Sequence, residues 1–266
     1  MIANLFLNLT EYAFFRRLVW KPIYESLAWL FPYDSWVCMN YGYACEAEKI
    51  RLEEQDEINR YSLQLYHHTV SEIDITDKDV LEVGSGRGGG SSYLKRYLRP
   101  ATMTGMDLAK NAVSFSNKTH LVPDLKYVRG NAEKMPFENE SFDAVVNVES
   151  CHAYGSVPRF LSEVHRVLKP GGYFACTDIR GPEGMQLLIN HLEGSGLRMI
   201  KQKDITANVI SAIEEEDEQK RLRIKQLLPK WIAPAIIELG GAKGSAIDSG
   251  LRSGELVYYQ WTLQKN

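Results

Sequence analysis

Five side chains able to do chemistry stand at telling places in this sequence: Glu82, Asp107, Asn131, Glu149 and His152. Glu82 comes just before "GSGRGGG", where Gly84, Gly86 and Gly89 satisfy G-x-G-x-x-G. A glycine turn after an apolar strand lets backbone come close to a ligand, and several cofactors use one. An acid directly ahead of the first glycine suits a cationic amino-acid group better than a pyrophosphate. Asp107 follows Gly84 at roughly the distance where a carboxylate can accept both hydroxyls of a ribose. Asn131, in "GNAEKMPF", offers a polar side chain and the next backbone N–H to an adenine edge. Glu149 and His152 would share a face if the chain turns helically between them. An imidazole has the right ordinary pKa for a general base near neutrality. The bland alternatives are a helix cap for Asp107, a turn for Asn131 and simple packing for His152.

The elements that position these groups can be read from the same stretch of chain. "VLEV", "TMTGMDL", "LKYVRG", "FDAVVNVES" and "GYFACTDI" read as strands, with helical patterns such as "PRFLSEVHRVL" between most of them. "RMIKQKDI" and "ELVYYQWTLQ" add two more, the last closing the sequence. Apolar strands alternating with helices imply a doubly wound, mostly parallel seven-stranded α/β sheet of Rossmann-like build. In such sheets ligands bind beyond the carboxyl ends of the strands, where the five groups fall. Residues 71–266 are expected to form this domain, with a helical and loop insertion at about 206–252. Residues 1–70 are expected to form an N-terminal helical extension over it.

Composition narrows the function. With 44% apolar residues in 266 the chain can bury a full core, and a net charge of −3 without a long basic run argues against nucleic acid as partner. Four cysteines without a CxxC pair suit a reducing compartment, so a cytoplasmic place is expected. Residues 1–33 carry Arg16, Arg17 and Lys21 among Phe14, Phe15, Leu18, Val19 and Trp20. Those charges break the segment before it could span a bilayer, so it reads as a packed helix pair or as a peripheral contact with an anionic membrane. Adjacent His67 and His68 would point apart on a helix, expected as solvent or cap residues, and no metal site is expected.

Four motifs in order, "LEVGSGRGG", "GMD", "GNAEKMPF" and "RVLKPGGYF", resemble the class I S-adenosylmethionine-dependent methyltransferases. More narrowly, "MNYGYACEAE" and "VVNVESCHAYGS" resemble the phthiotriol and phenolphthiotriol dimycocerosate type, which acts on lipid or polyketide hydroxyls. The resemblance implies S-adenosyl-L-methionine as cofactor and a hydrophobic small-molecule acceptor. It places the methionine part at Gly84, Ser85, Gly86 and Gly88 with Glu82 beneath, the ribose at Asp107, and the adenine at Leu108, Asn131, Ala132 and Glu133. Asn147 completes the set from the fourth strand. Tyr41 and Tyr43 are expected to fold over the sulfonium, with the insertion residues Trp231, Ile236 and Ile237 walling the acceptor space. His152 is then the base that removes the acceptor proton, with Glu149 orienting it or meeting the methionine amino group. A transferase to carbon or nitrogen of a natural product or quinone, and a non-catalytic cofactor-binding module at a membrane, stand as alternatives.

Overall fold

In the computed structural model, residues 36–266 are described. The aromatic, basic segment 1–33, and with it the membrane and helix-pair readings, lies outside the described residues.

A seven-stranded sheet runs in the order β3-β2-β1-β4-β5-β7-β6. Its strands are β1 (Asp79–Val83), β2 (Thr102–Asp107), β3 (Leu125–Arg129), β4 (Phe142–Val148), β5 (Leu168–Arg180), β6 (Arg198–Asp204) and β7 (Val257–Gln264). The first five pair in parallel, and β7 runs antiparallel between β5 and β6. Alternation along each strand explains why the sheet is covered on both faces. Leu81, Val83 and Val145 enter one apolar cluster with Phe160, Phe174 and Trp261. Val80, Val146 and Val148 enter another with Leu63, Tyr93, Ile213 and Tyr258. Such a strand is a nearly unbroken apolar run because neither face meets water.

The helices follow the crossovers. α1 (Arg60–Thr69) precedes the sheet, α2 (Gly89–Leu98) follows β1, α3 (Lys110–Thr119) follows β2, and α4 (Val157–Val167) leads into β5. α5 (Pro182–Glu193) precedes β6, while α6 (Thr206–Leu227), α7 (Ala233–Leu239) and α8 (Ala246–Ser253) lie between β6 and β7. The stretch before α1 is tied down at both sides: Tyr43 N donates to Tyr61 O at 3.0 Å and Ala44 N to Asn208 O at 3.1 Å. The Pro-Gly-Gly turn expected before the fifth strand is held inside β5 as an irregularity, where pairing jumps from Phe142↔Leu168 to Ala144↔Tyr173. Gly171, at φ +77°, supplies the backbone that this jump needs.

Strand order reverses between β1 and β4, which opens a crevice beyond their carboxyl ends.

Candidate active site

The crevice holds a pocket lined from four strand ends and from residues 37–40. The glycine turn contributes Gly84, Ser85 and Gly86, and the end of β2 contributes Asp107 and Leu108. Asn131, Ala132 and Glu133 line it after β3, and Glu149 after β4. Gly84 sits at φ +78°, and a β-carbon there would overlap the side chains of Ser150 and Tyr154, so only glycine fits. Asp107 folds onto this turn: Oδ2 accepts from Gly86 N and Oδ1 from Ala109 N, both at 2.8 Å. It thus shapes the turn and the start of α3 while facing the pocket. Burial raises its pKa. Asn131 also does double duty, its Oδ1 accepting from Glu133 N at 3.0 Å while the residue lines the pocket. Glu133 in turn accepts from Gly155 N at 3.0 Å.

Glu82 lies fully buried under the turn and outside the pocket lining. Tyr66, which does line it, donates to Glu82 Oε1 at 2.7 Å, and Ser91 donates to Oε2. Burial pushes this carboxyl up to about 7 despite both hydroxyls. Gly88 stands at φ +83° at the start of α2, where a β-carbon would meet the Tyr127 ring at 2.7 Å. It lets the helix pack on the sheet and does not line the pocket. Asn147 is likewise wholly buried: Nδ2 donates to Val83 O at 2.8 Å and to Ser150 Oγ at 2.7 Å, bracing the ends of β1 and β4 against each other behind Gly84.

The ends of β4 and β5 are arranged differently from the expectation. Glu149 does not orient His152. Its backbone takes φ +45°, and Oε1 accepts from Tyr41 N at 2.8 Å and from the Tyr258 hydroxyl at 2.6 Å. Burial pushes it up to about 7 as well. The carboxylate on His152 is Asp178, at the end of β5, with Nδ1 to Oδ1 at 2.7 Å. Asp178 is itself anchored: Arg180 Nη2 donates to Oδ2 at 3.0 Å and Cys151 Sγ at 2.9 Å. Burial opposes its ionisation, but the charges of His152 and Arg180 outweigh that and hold the carboxyl well below the usual range. His152 stands in the short turn Cys151–Ala153; its neighbours Ser150 and Ala153 line the pocket, while His152 and Asp178 stand just outside its lining. The left-handed turn at Glu149 aims its side chain toward β7, leaving the histidine to an acid 26 residues further on.

Three other expectations give way. Tyr43 is fully buried and stacked on His68, centroids 4.0 Å apart, so its ring belongs to the core and not to a cofactor. His68 is correspondingly a core residue, with Nδ1 to Glu48 at 2.8 Å. Tyr41 serves through its backbone N–H, its ring packing near Gly241, while Met39 and Asn40 reach the pocket in its place. Trp231 is 82% exposed, and Ile236 is buried with Ile224, Leu228 and Ala233, so neither walls the pocket. Sequence reasoning missed Asp178 and Tyr258. Asp178 carried a signal, since an acid at the carboxyl end of a central strand occupies the same kind of position as Glu82 and Asp107.

The pocket suits an amino-acid nucleoside. Ser85 Oγ and Asn147 Oδ1 are buried polar atoms without a partner among the described residues. Two carboxyls raised by burial, Glu82 and Glu149, are what a bound cation would bring back toward their ordinary range. Among the described residues no group of three or more His, Cys, Asp or Glu is placed to hold a metal, and no helix is long and apolar enough to cross a membrane.

Comparison with known proteins agrees with this geometry. The family model of a methyltransferase domain matches residues 81–176. A phthiotriol/phenolphthiotriol dimycocerosates methyltransferase of Mycobacterium tuberculosis is 38% identical over 251 residues, covering 94% of this chain and 93% of that protein. A fatty-acid O-methyltransferase of Mycolicibacterium smegmatis is 43% identical over 205 residues, covering 77% of this chain and 73% of that protein. The geranyl diphosphate C-methyltransferase of Streptomyces coelicolor A3(2), solved with Mg2+, geranyl diphosphate and S-adenosyl-L-homocysteine, superposes with a TM-score of 0.65 at 18% identity. That match covers 88% of this chain and 93% of that one, a likeness of fold.

Proposed function

The chain belongs to the S-adenosylmethionine-dependent methyltransferase family of these relatives, and on that premise we propose that it methylates a hydroxyl of a hydrophobic, lipid-class acceptor. The observation that carries the hydroxyl is the His152–Asp178 pair at 2.7 Å. S-adenosylmethionine, when bound, supplies a methyl group already activated on a sulfonium. The protein has therefore only to align the acceptor and take its proton. An alcohol is a poor nucleophile while protonated, whereas a carboxylate or a free amine needs no base to attack. Asp178 accepts the Nδ1 proton of His152, which fixes the tautomer and makes Nε2 the basic nitrogen, as in other histidine–carboxylate pairs. As the methyl group would leave the sulfonium sulfur for the acceptor oxygen, releasing the neutral thioether, the hydroxyl proton would pass to Nε2 and then to solvent. Asp178 remains ionised throughout, balanced by Arg180.

On the donor side, Asp107 would hold the ribose, Leu108 and Ala132 the adenine faces and edge, and Asn131 the exocyclic amine. Ser85 Oγ and Glu149 would meet the methionine part, with Glu82 a second charge below it. The names of the relatives, one for dimycocerosates and one for fatty acids, support a lipid-class acceptor. Residues 1–33 are proposed to touch an anionic membrane peripherally, on the sequence mixture alone; Arg16, Arg17 and Lys21 changed to Glu without loss of vesicle binding would count against that.

The test is a screen of long-chain alcohols, fatty acids, amines and quinones with isotopically labelled S-adenosylmethionine, read by mass spectrometry. Methyl ethers are the expected products. Methyl esters as the main product would remove the need for the base and overturn the hydroxyl assignment, and C- or N-methyl products would do the same.

A further inference from the structure

The most exposed tryptophan of the described residues stands on a corner where the charges are sorted. Helix α6 buries Ala212, Glu216, Lys220 and Ile224, and Leu228 continues the stripe past its end, one residue in four. The opposite face is exposed, and its composition changes along the helix. Its middle carries Glu214, Glu215 and Glu218; its last turns and the loop beyond carry Leu222, Lys225, Gln226, Pro229, Lys230 and Trp231. Between Glu218 and Glu238 there is no acid, against five lysines and arginines. Three of those five are paired, Lys220 and Arg223 with Glu216 and Arg221 with Asp217. Lys225 and Lys230 pair with no carboxylate among the described residues.

Single exposed apolar residues are ordinary on protein surfaces. Leu121, 83% exposed beside Asp124, is one of them. Trp231 at 82% and Leu222 at 53% are different, because two lysines with no carboxylate partner among the described residues lie between them. The helix dipole accounts for a cation at Lys225, in the last turn of α6, but not for Lys230 or for the tryptophan after it. An indole flanked by lysines fits one environment above others, the headgroup layer of an anionic bilayer, where ring and charge are both satisfied.

The corner is also joined to the pocket. Trp36 packs on the small cluster under it, with Ile224, Leu228, Ala233 and Ile236. The carbonyl of Trp36 accepts from Arg87 Nε in the glycine turn, and residues 37–40, next in sequence, line the pocket. We infer that the corner from Leu222 to Trp231 is a membrane-docking surface, which seats Trp231 in an anionic lipid interface and sets the roof of the pocket beside the bilayer that holds the acceptor. The inference rests on the lipid-class reading of the acceptor, but not on which atom is methylated. It is also separate from any contact made by residues 1–33.

Vesicle sedimentation of the full chain tests it, with phosphatidylcholine alone and with phosphatidylglycerol added. The protein is expected to pellet with the anionic vesicles, in a salt-sensitive way, and not with the neutral ones. Trp231→Ser should weaken partitioning by roughly tenfold, and Lys225→Glu with Lys230→Glu by at least about tenfold. These side chains are exposed, so calorimetric affinity for S-adenosylmethionine should be unchanged in both variants. Turnover of a short, water-soluble alcohol should be unchanged too. If both variants partition like the parent, or the parent ignores lipid charge, the surface is elsewhere and the inference fails. If vesicle binding behaves as expected but no alcohol is turned over, it is the hydroxyl reading that falls.

Discussion

The two sides of the pocket are built by different means. At the ends of β1 to β3, each group is held by its own turn or by the adjacent strand end: Asp107 by Ala109 and Gly86, Asn131 by Glu133, the glycine turn by the Met106 carbonyl and Asp107. At the ends of β4 and β5, the groups are held across long spans of sequence. Glu149 joins Tyr41 and Tyr258, 108 and 109 residues away, and His152 joins Asp178. A side made of turns and adjacent strand ends needs little more than the pairing of β1 with β2, whereas a side made of distant couplings exists only when the whole sheet is assembled.

The sharpest way to separate the two sides is His152→Ala. It should lower methyl transfer by about 10²–10⁴, the range for a positioned base, while calorimetry shows S-adenosylmethionine binding as in the parent. Equal losses in both would mean that the two sides are one unit, and a rate within a few-fold of the parent would remove His152 from the chemistry.

Next in size is Asp178→Ala. It strips a buried partner from Arg180 and the orienting group from His152 together. A cost of about 3–5 kcal/mol in stability is expected from the uncompensated charge. Asp178→Asn, closer in shape, should fold better and still lose most of the rate, since an amide cannot hold the same tautomer. Denaturant unfolding paired with turnover distinguishes the two effects; an asparagine variant with full rate would break the pairing argument.

Asp107→Ala tests the donor side. Charge-assisted hydrogen bonds contribute about 1.5–3 kcal/mol each, so cofactor affinity should fall roughly 10- to 100-fold. Gly86 N loses its acceptor in the same variant, and a melting curve will show how far the turn itself depends on this carboxylate. Unchanged affinity would leave the ribose without its assigned partner.

The smallest effect is with pH. Glu82 and Glu149 sit near 7 in the folded protein against an ordinary 4.5. Between these values the folded state holds protons that the unfolded chain has released, so the ligand-free protein loses stability as pH rises through that window. A cationic ligand favours the ionised carboxyls, so S-adenosylmethionine should bind a few-fold more tightly above about pH 7 and release protons when it binds below it. Scanning calorimetry with and without cofactor would measure both trends, and Glu149→Gln should remove part of each. A flat profile in the parent would mean that neither acid meets the cation.

The sheet, its order of elements and the cofactor were legible because their signals are local. Apolar runs, glycines that alone tolerate φ near +80°, and acids at strand ends are properties of a few neighbouring residues, and they determined the fold class and the cofactor. Between β6 and β7 the charged helix read from the sequence is α6, while the stretch read as a glycine-rich loop holds the end of α7 and most of α8. Which acid serves His152 was decided elsewhere. Sequence spacing put Glu149 three residues away, but helical spacing matters only if the backbone is helical there, and Glu149 takes a left-handed turn instead. That turn, the antiparallel return of β7 that brings Tyr258 to Glu149, and the burial that pins Asp178 between Arg180 and Cys151 are all products of strand pairing over more than twenty residues. Tyr43 and Trp231 exchanged their expected places, core for pocket and surface for wall, because a ring goes where the assembled elements leave room. Residue type says that it will be buried or bind, but only packing says against what.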